Sequence, residues 1–222
     1  MWISVGLVAV YLAIIVLFAE GLNRLTGIGA ELTRKVVHIG SGNVILLAWL
    51  FKIPAWIGMG AAAIASVIAM ISYFLPILPS LNSVGRKSLG TFFYAVSIGL
   101  LVGWFWPVGA PQYAAIGILV MAWGDGLAAL IGQRFGRHRY QLWGIQKSWE
   151  GSLTMAGVSF FITFLVLTFV QGGNGAIAGI AAAVALFATG LEAFSKLGID
   201  NLSVPLGSAA LSYFLISWFQ QA

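Results

Sequence analysis

Hydrophobic residues fall into eight stretches separated by polar gaps: Trp2–Ala19, Val36–Phe51, Pro54–Leu75, Leu89–Trp106, Gln112–Ile131, Ser152–Val170, Ala176–Phe194 and Val204–Phe219. Most approach the roughly 20 apolar residues that let a helix cross about 30 Å of hydrocarbon. The pattern predicts an all-α, polytopic integral membrane bundle with about eight transmembrane helices. Three of the intervening gaps are very short (Lys52–Ile53, Pro107–Pro111 and Gln171–Gly175), and the connections that alternate with them are longer and richer in Gly, Ser, Asn and Pro.

Charge sorts these connections into two sides. Ten of the eleven Lys and Arg fall in the first, third, fifth and seventh connections: Arg24, Arg34, Lys35, Arg86, Lys87, Arg134, Arg137, Arg139, Lys147 and Lys196. Only Lys52 lies opposite. Basic loops stay cytoplasmic, so both termini are expected outside. All six acidic residues (Glu20, Glu31, Asp125, Glu150, Glu192, Asp200) map on or near the same inner side. Trp2, Trp49, Trp56, Trp104, Trp106 and Trp218 map to outer helix ends, where amphipathic rings favour the interface.

With 222 residues, 60% hydrophobic and 8% charged, the chain leaves no room for a soluble unit beside the spans, and residues 1–222 read as one membrane domain. The first stretch lacks a basic leader and a small-residue cleavage site, and is expected to be retained. A net charge of +5 suits inner loops beside anionic lipid and makes no case for nucleic acid. The absence of Cys excludes disulfides, thiolate nucleophiles and iron–sulfur ligation. Small-residue steps at Gly99/Gly103, Ala122/Gly126, Ala128/Gly132 and Gly175/Gly179 predict close helix approach.

Several charges oppose the helix dipole. Arg34, Lys35, Arg86, Lys87 and Lys147 precede expected helix starts, while Asp125 and Glu192 lie near expected helix ends. Each such placement forfeits roughly 0.3–1 kcal/mol. Basic groups at helix N-termini suit phosphates, and carboxylates near C-terminal carbonyls suit a hard cation such as Mg²⁺.

Asp125, in Gly124-Asp125-Gly126, is the strongest candidate, since a carboxylate in an apolar helix is costly unless it has work to do. Its flanking glycines are expected to admit backbone or ligand. Lys147, Ser148, Glu150, Gly151 and Ser152 resemble a phosphate cradle in composition, although no Walker pattern is present. The plainer alternative is a capped, solvated helix start. Glu31, Lys35 and His38 share one helix face, and His38 suits a general base, a phosphate contact or a satisfied buried imidazole. Glu192 needs a cation, with Lys196 at i+4 the nearest in sequence. In Asp200-Asn201-Leu202-Ser203-Val204-Pro205, Asn or Ser caps the last helix and Pro205 opens its first turn, while Asp200 is also a possible metal ligand.

Five separated segments together carry a resemblance. Glu31–Gly42 (Glu-Leu-Thr-Arg-Lys-Val-Val-His-Ile-Gly-Ser-Gly), Gly85–Thr91, Gly124-Asp125-Gly126 with Ala129 and Gly132, Lys147–Ser152 and Asp200–Pro205 resemble, in this order, the polyprenol kinase family. That family contains phytol, farnesol and dolichol kinases and a CTP-dependent diacylglycerol kinase. The short chain is similar to its phytol/farnesol branch. The resemblance implies phosphorylation of a membrane-embedded isoprenoid alcohol, generally with CTP as the nucleoside triphosphate donor. On that premise Asp125, with Glu150 or Asp200, would hold Mg²⁺. Lys147, Arg86 and Lys87 would clamp the triphosphate, with Ser148 beside them and Arg34 and Lys35 as further contacts. His38 or Asp125 would accept the hydroxyl proton, and the site is expected on the cytoplasmic side.

Rival readings lack their signatures. A phosphatidate cytidylyltransferase carries Gly-His-Gly-Gly and a later Asp-Arg-x-Asp, and neither is present. An acyl-phosphate acyltransferase would follow Gly40-Ser41-Gly42-Asn43 with a Gly-Gly-Lys-Gly run, and an aromatic prenyltransferase would carry paired Asp-rich motifs. A small transporter or channel would spread polar groups through the membrane depth rather than gather them at one surface.

Overall fold

The structure is a computed structural model that describes residues 1–26, 30–74 and 89–221. Arg86 and Lys87, and the side chain of Glu31, lie outside the described residues. Helices α1 (Trp2–Thr26), α2 (Ala30–Gly42), α3 (Val44–Leu50), α4 (Ala55–Phe74) and α5 (Gly90–Phe105) come first. Then α6 (Pro111–Leu119) runs through a π-helical segment (Val120–Asp125) into α7 (Gly126–Phe135). A hairpin, β1 (Arg139–Leu142) and β2 (Ile145–Ser148), leads into α8 (Trp149–Gln171), α9 (Gly175–Ala193) and α10 (Asp200–Gln221).

The protein is an all-α membrane bundle. Among the described residues, six helical runs are long and apolar enough to cross a bilayer: Trp2–Leu25, Ala55–Phe74, Pro111–Phe135, Trp149–Gln171, Gly175–Ala193 and Asp200–Gln221. The remaining two apolar stretches lie on shorter helices, α5 and the broken pair α2–α3.

Burial separates the centre of the bundle from its rim. In the run from Pro111 to Phe135, 72% of the apolar window is buried, against 6% for α1. Helices α5, α8 and α10 pack round this central run, with α2 and α3 on a further side. In contrast, α4 lies mainly on α5, and α1 on α2. Apolar side chains exposed on α1 and α4, including Leu17, Phe18, Ile64 and Phe74, face outward as lipid-facing residues should.

Small residues set the spacing. A Cβ on Gly117 would lie 2.3 Å from the Pro205 carbonyl oxygen, so α6 and α10 meet almost backbone to backbone. Gly99 and Gly103 receive Ala62 and Met59 of α4. The Ala122/Gly126 step meets Gly42 and Ile39 of α2, and Gly132 meets Ser148 and Gly151. Gly175 and Gly179 face open space, so that step joins nothing within this chain.

Helix boundaries depart from the apolar stretches in four places. First, α2 starts at Ala30, six residues before Val36, so Arg34 and Lys35 lie inside a helix rather than ahead of one. Hydropathy registers the part of a helix at lipid depth, and this helix continues beyond it. Second, the same apolar stretch breaks at Asn43. The Trp123 indole donates to Asn43 Oδ1 at 2.8 Å, and the Tyr11 hydroxyl donates to the Gly40 carbonyl at 3.0 Å. Third, Asp125 ends a π segment in mid-run rather than a helix, with ten residues of α7 beyond it. Fourth, α10 starts at Asp200, which puts Pro205 in its second turn.

The hairpin lies in what hydropathy reads as a loop. Its register pairs Tyr140 with Lys147 and Leu142 with Ile145, so these four side chains share one face. That face is half-buried, while Arg139, Gln141 and Gln146 are exposed on the other. Trp149 N–H donates to the His138 carbonyl at 2.9 Å, and the Tyr140 and Ser152 hydroxyls lie 2.6 Å apart. These contacts tie the hairpin to the start of α8.

Candidate active site

Two interrupted helices meet at the centre of the site. Close packing of Gly42 on Ala122 and of Gly126 on Ile39 lays α2 against the π segment. This contact brings Lys35 and His38 beside Asp125. Lys35 Nζ donates to Asp125 Oδ2 at 2.6 Å, with side-chain exposures of only 5% and 12%. The glycines flanking Asp125 serve this packing: Gly126 admits Ile39, and Gly124 admits Met155 of α8. In this respect they accommodate neighbouring helices rather than a ligand.

His38 Nε2 lies 3.9 Å from Asp125 Oδ2, beyond hydrogen-bond distance. It is buried and has no partner among the described residues. In the Nδ1–H tautomer this unpartnered Nε2 presents a lone pair that can take a proton. Tyr94 of α5 lies against the imidazole, tilted by 36° with centroids 4.4 Å apart, and donates its hydroxyl to the His38 carbonyl at 3.2 Å. Tyr94 drew no attention in the sequence; a phenol in an otherwise apolar stretch was its only signal.

Opposite this pair, β2 delivers Lys147. Its ammonium donates to Glu192 near the end of α9, and Glu192 is nearly fully buried. Glu192 thus takes its cation from 45 residues away, while Lys196, its expected partner, is exposed. Burial pulls the pKa of Lys147 down, but attraction to Glu192, Asp125 and Asp200 outweighs it and holds the ammonium above its usual value. Asp200, at the start of α10, interacts electrostatically with Asp125, Lys147 and Lys35. Its backbone N–H donates to Ser195 Oγ at 2.5 Å, and its carboxylate accepts from Asn201 N–H at 3.0 Å.

Lys35, His38, Asp125, Lys147, Glu192 and Asp200 therefore converge from α2, the π segment, β2, α9 and α10. The other expected site residues stand differently. Glu150 turns to the hairpin, where it accepts from the Arg137 and His138 backbone at 3.1 and 3.2 Å and from the His138 ring at 2.8 Å. It is not gathered with Asp125. Ser148 caps α8 by accepting from Gly151 N–H at 3.1 Å, the plainer of its two sequence readings. Arg34 is half-buried on α2, close enough to act electrostatically on His38. Arg134, Arg137 and Arg139 are exposed outside the cluster.

The donor set bears on Mg²⁺. No group of three His, Asp or Glu able to hold a metal occurs among the described residues. Mg²⁺, however, commonly takes one or two carboxylates and completes its shell with water and substrate phosphates. Asp125 and Asp200, two carboxylates that act on each other electrostatically and on the same two lysines, fit that mode. A self-sufficient protein cage would not fit here.

Comparison with known proteins gives a consistent group of relatives. Over 218 residues the chain is 59% identical to a phytol kinase of Synechocystis sp., covering 98% of this chain and 91% of that one. It is 29% identical to phytol kinase 1, chloroplastic, of Arabidopsis thaliana, covering 90% and 71% of the two chains. It is 27% identical to a probable phytol kinase, chloroplastic, of Triticum aestivum, covering 83% and 67%. No family model matches the chain, and no solved structure does.

Proposed function

The chain belongs to the phytol kinase branch of the polyprenol kinase family, and on that premise we propose that it transfers the terminal phosphoryl group of CTP to the hydroxyl of phytol. The alcohol oxygen bonds to the γ-phosphorus, the bond from that phosphorus to the β-phosphate oxygen breaks, and CDP and phytyl phosphate result. The hydroxyl proton passes to His38 Nε2. Of the two expected proton acceptors His38 is preferred, because Asp125 already accepts from Lys35 while Nε2 has no partner among the described residues.

Phosphoryl transfer depends mainly on positioning and on neutralising phosphate charge. Lys35 and Lys147 supply two ammonium groups, both acting on Asp125. Asp125 and Asp200 would hold Mg²⁺, which when bound neutralises charge on the donor phosphates. Arg86 and Lys87 remain part of the proposal as further triphosphate contacts. The apolar chain of the alcohol stays in the bilayer and only its hydroxyl enters the cluster.

One observation carries this reading: charged and titratable groups from five separated segments gather about Asp125, beside a buried imidazole nitrogen that has no partner among the described residues. The test is to incubate purified protein in lipid with γ-labelled CTP or ATP and a panel of phytol, farnesol, geranylgeraniol, dolichol and diacylglycerol. Label on phytol from CTP is the expected result. Preference for diacylglycerol would replace the alcohol assignment, and preference for ATP would replace the donor. Absence of transfer to every acceptor would overturn the kinase reading.

A further inference from the structure

Two connections end in the same unusual way. At the hairpin tip Trp143 has φ 47° and is followed by Gly144 at φ 78°; between α9 and α10, Leu197 has φ 56° and is followed by Gly198 at φ 87°. A non-glycine residue with positive φ is uncommon and energetically disfavoured, more so when bulky. Here the disfavoured geometry sets large apolar side chains outward, for Trp143 and Leu197 are each 73% exposed. Trp143 lies against Phe194 with centroids 5.2 Å apart, which joins the tips into one patch. Phe194 and Ile199 are also exposed.

The exposed charges in and beside these two connections have one sign. Arg134, in the last turn of α7, and Arg137, Arg139 and Lys196, in the two connections, are exposed. Their acidic neighbours are engaged elsewhere: Glu150 with His138, Glu192 with Lys147, and half-buried Asp200 with Asn201 and the two site lysines. Indole and alkyl side chains at a tip, with cations around them, match an interface that is apolar below and negatively charged above.

We infer that the hairpin tip and the α9–α10 turn form an interfacial anchor that inserts Trp143 and Leu197 among anionic lipid headgroups, with Arg134, Arg137, Arg139 and Lys196 on the lipid phosphates. The occupant is the bilayer surface itself. Lys147 lies four residues from Trp143 on the inward face of the same hairpin, so the anchor also sets the depth at which its ammonium stands.

The absence of Cys makes a single label straightforward. Gln146→Cys, on the exposed hairpin face, carries a nitroxide whose collisions with oxygen and with a water-soluble nickel chelate report depth. Nanodiscs of phosphatidylcholine alone are compared with nanodiscs containing phosphatidylglycerol. The label should favour oxygen in the anionic discs and lose that preference in about 1 M salt, where the screening length falls to about 3 Å. Arg134→Gln/Arg137→Gln/Arg139→Gln, at exposed positions, should lose it at low salt, and so should Trp143→Ser, which keeps every cation. A label equally water-exposed in both discs would overturn the anchor. So would dipolar broadening that persists in detergent, which would assign the patch to a second copy of the chain. The readout does not involve catalysis, so a failed anchor and a failed kinase assignment remain distinguishable.

Discussion

Asp125→Asn separates the two roles available to the buried carboxylate. The substitution preserves shape, but it leaves the Lys35 ammonium, 5% exposed and 2.6 Å from Asp125 Oδ2, without its counter-charge. Removing one partner of a buried pair costs about 3–5 kcal/mol, which for a chain of this size lowers Tm by roughly 6–20 °C. Lys35→Met in the Asp125→Asn background removes the stranded charge, so most of that stability should return. Turnover should behave otherwise. A carboxylate acting on substrate or metal is absent from single and double variants alike, and both should lose about 10²–10⁴-fold in kcat. The assay pairs thermal unfolding in detergent with phosphoryl transfer in lipid for wild type, both single variants and the double. Recovery of turnover together with stability in the double variant would refute a catalytic role and leave a purely structural ion pair.

Glu192→Gln should release Lys147 and raise the apparent KM for the donor without altering that for the alcohol; Lys147→Ala should do the same and Lys147→Arg should partly rescue it, as steady-state kinetics varying each substrate in turn would record. Gly42→Ala places a Cβ 2.4 Å from that of Ala122 and should cost about 1–3 kcal/mol, whereas Gly179→Ala, with nothing within 4 Å, should leave Tm unchanged or higher. Reporter fusions after Arg139 should read cytoplasmic and those after Gly173 external; an external signal at Arg139 would overturn the sidedness derived from the basic connections.

The positions of the apolar stretches and the gathering of charge toward one end were legible in the sequence, because both follow from the solvent each residue needs. Asp125 stood out because a carboxylate in an apolar helix demands a reason, and Lys35 and His38 because they share one helix face with Glu31. Pairing was harder to read. Sequence proximity offered Lys196 to Glu192, yet the hairpin delivers Lys147 from 45 residues upstream. That hairpin was hidden by its brevity: four-residue strands around Trp143-Gly144 leave no hydropathic trace, although the alternation Arg-Tyr-Gln-Leu, then Ile-Gln-Lys-Ser, was a usable signal. Glu150 looked like a ligand beside Lys147, but neighbours along a strand–helix junction point to different places. The π segment has no hydropathic mark at all, since widening a helix by one residue changes geometry and not polarity.

That widening decouples the two halves of the central helix. A single extra residue in a turn offsets everything beyond it by about 100° relative to an uninterrupted α-helix, which has 3.6 residues per turn. The half before Val120 can therefore keep its register with α10 while the half after Asp125 holds an independent one with α8, each selected separately. Deleting one residue between Val120 and Asp125 would act as a frameshift in orientation. It would swing Gly132 away from Ser148 and dismantle the footing of the hairpin while leaving every residue beyond the deletion chemically intact.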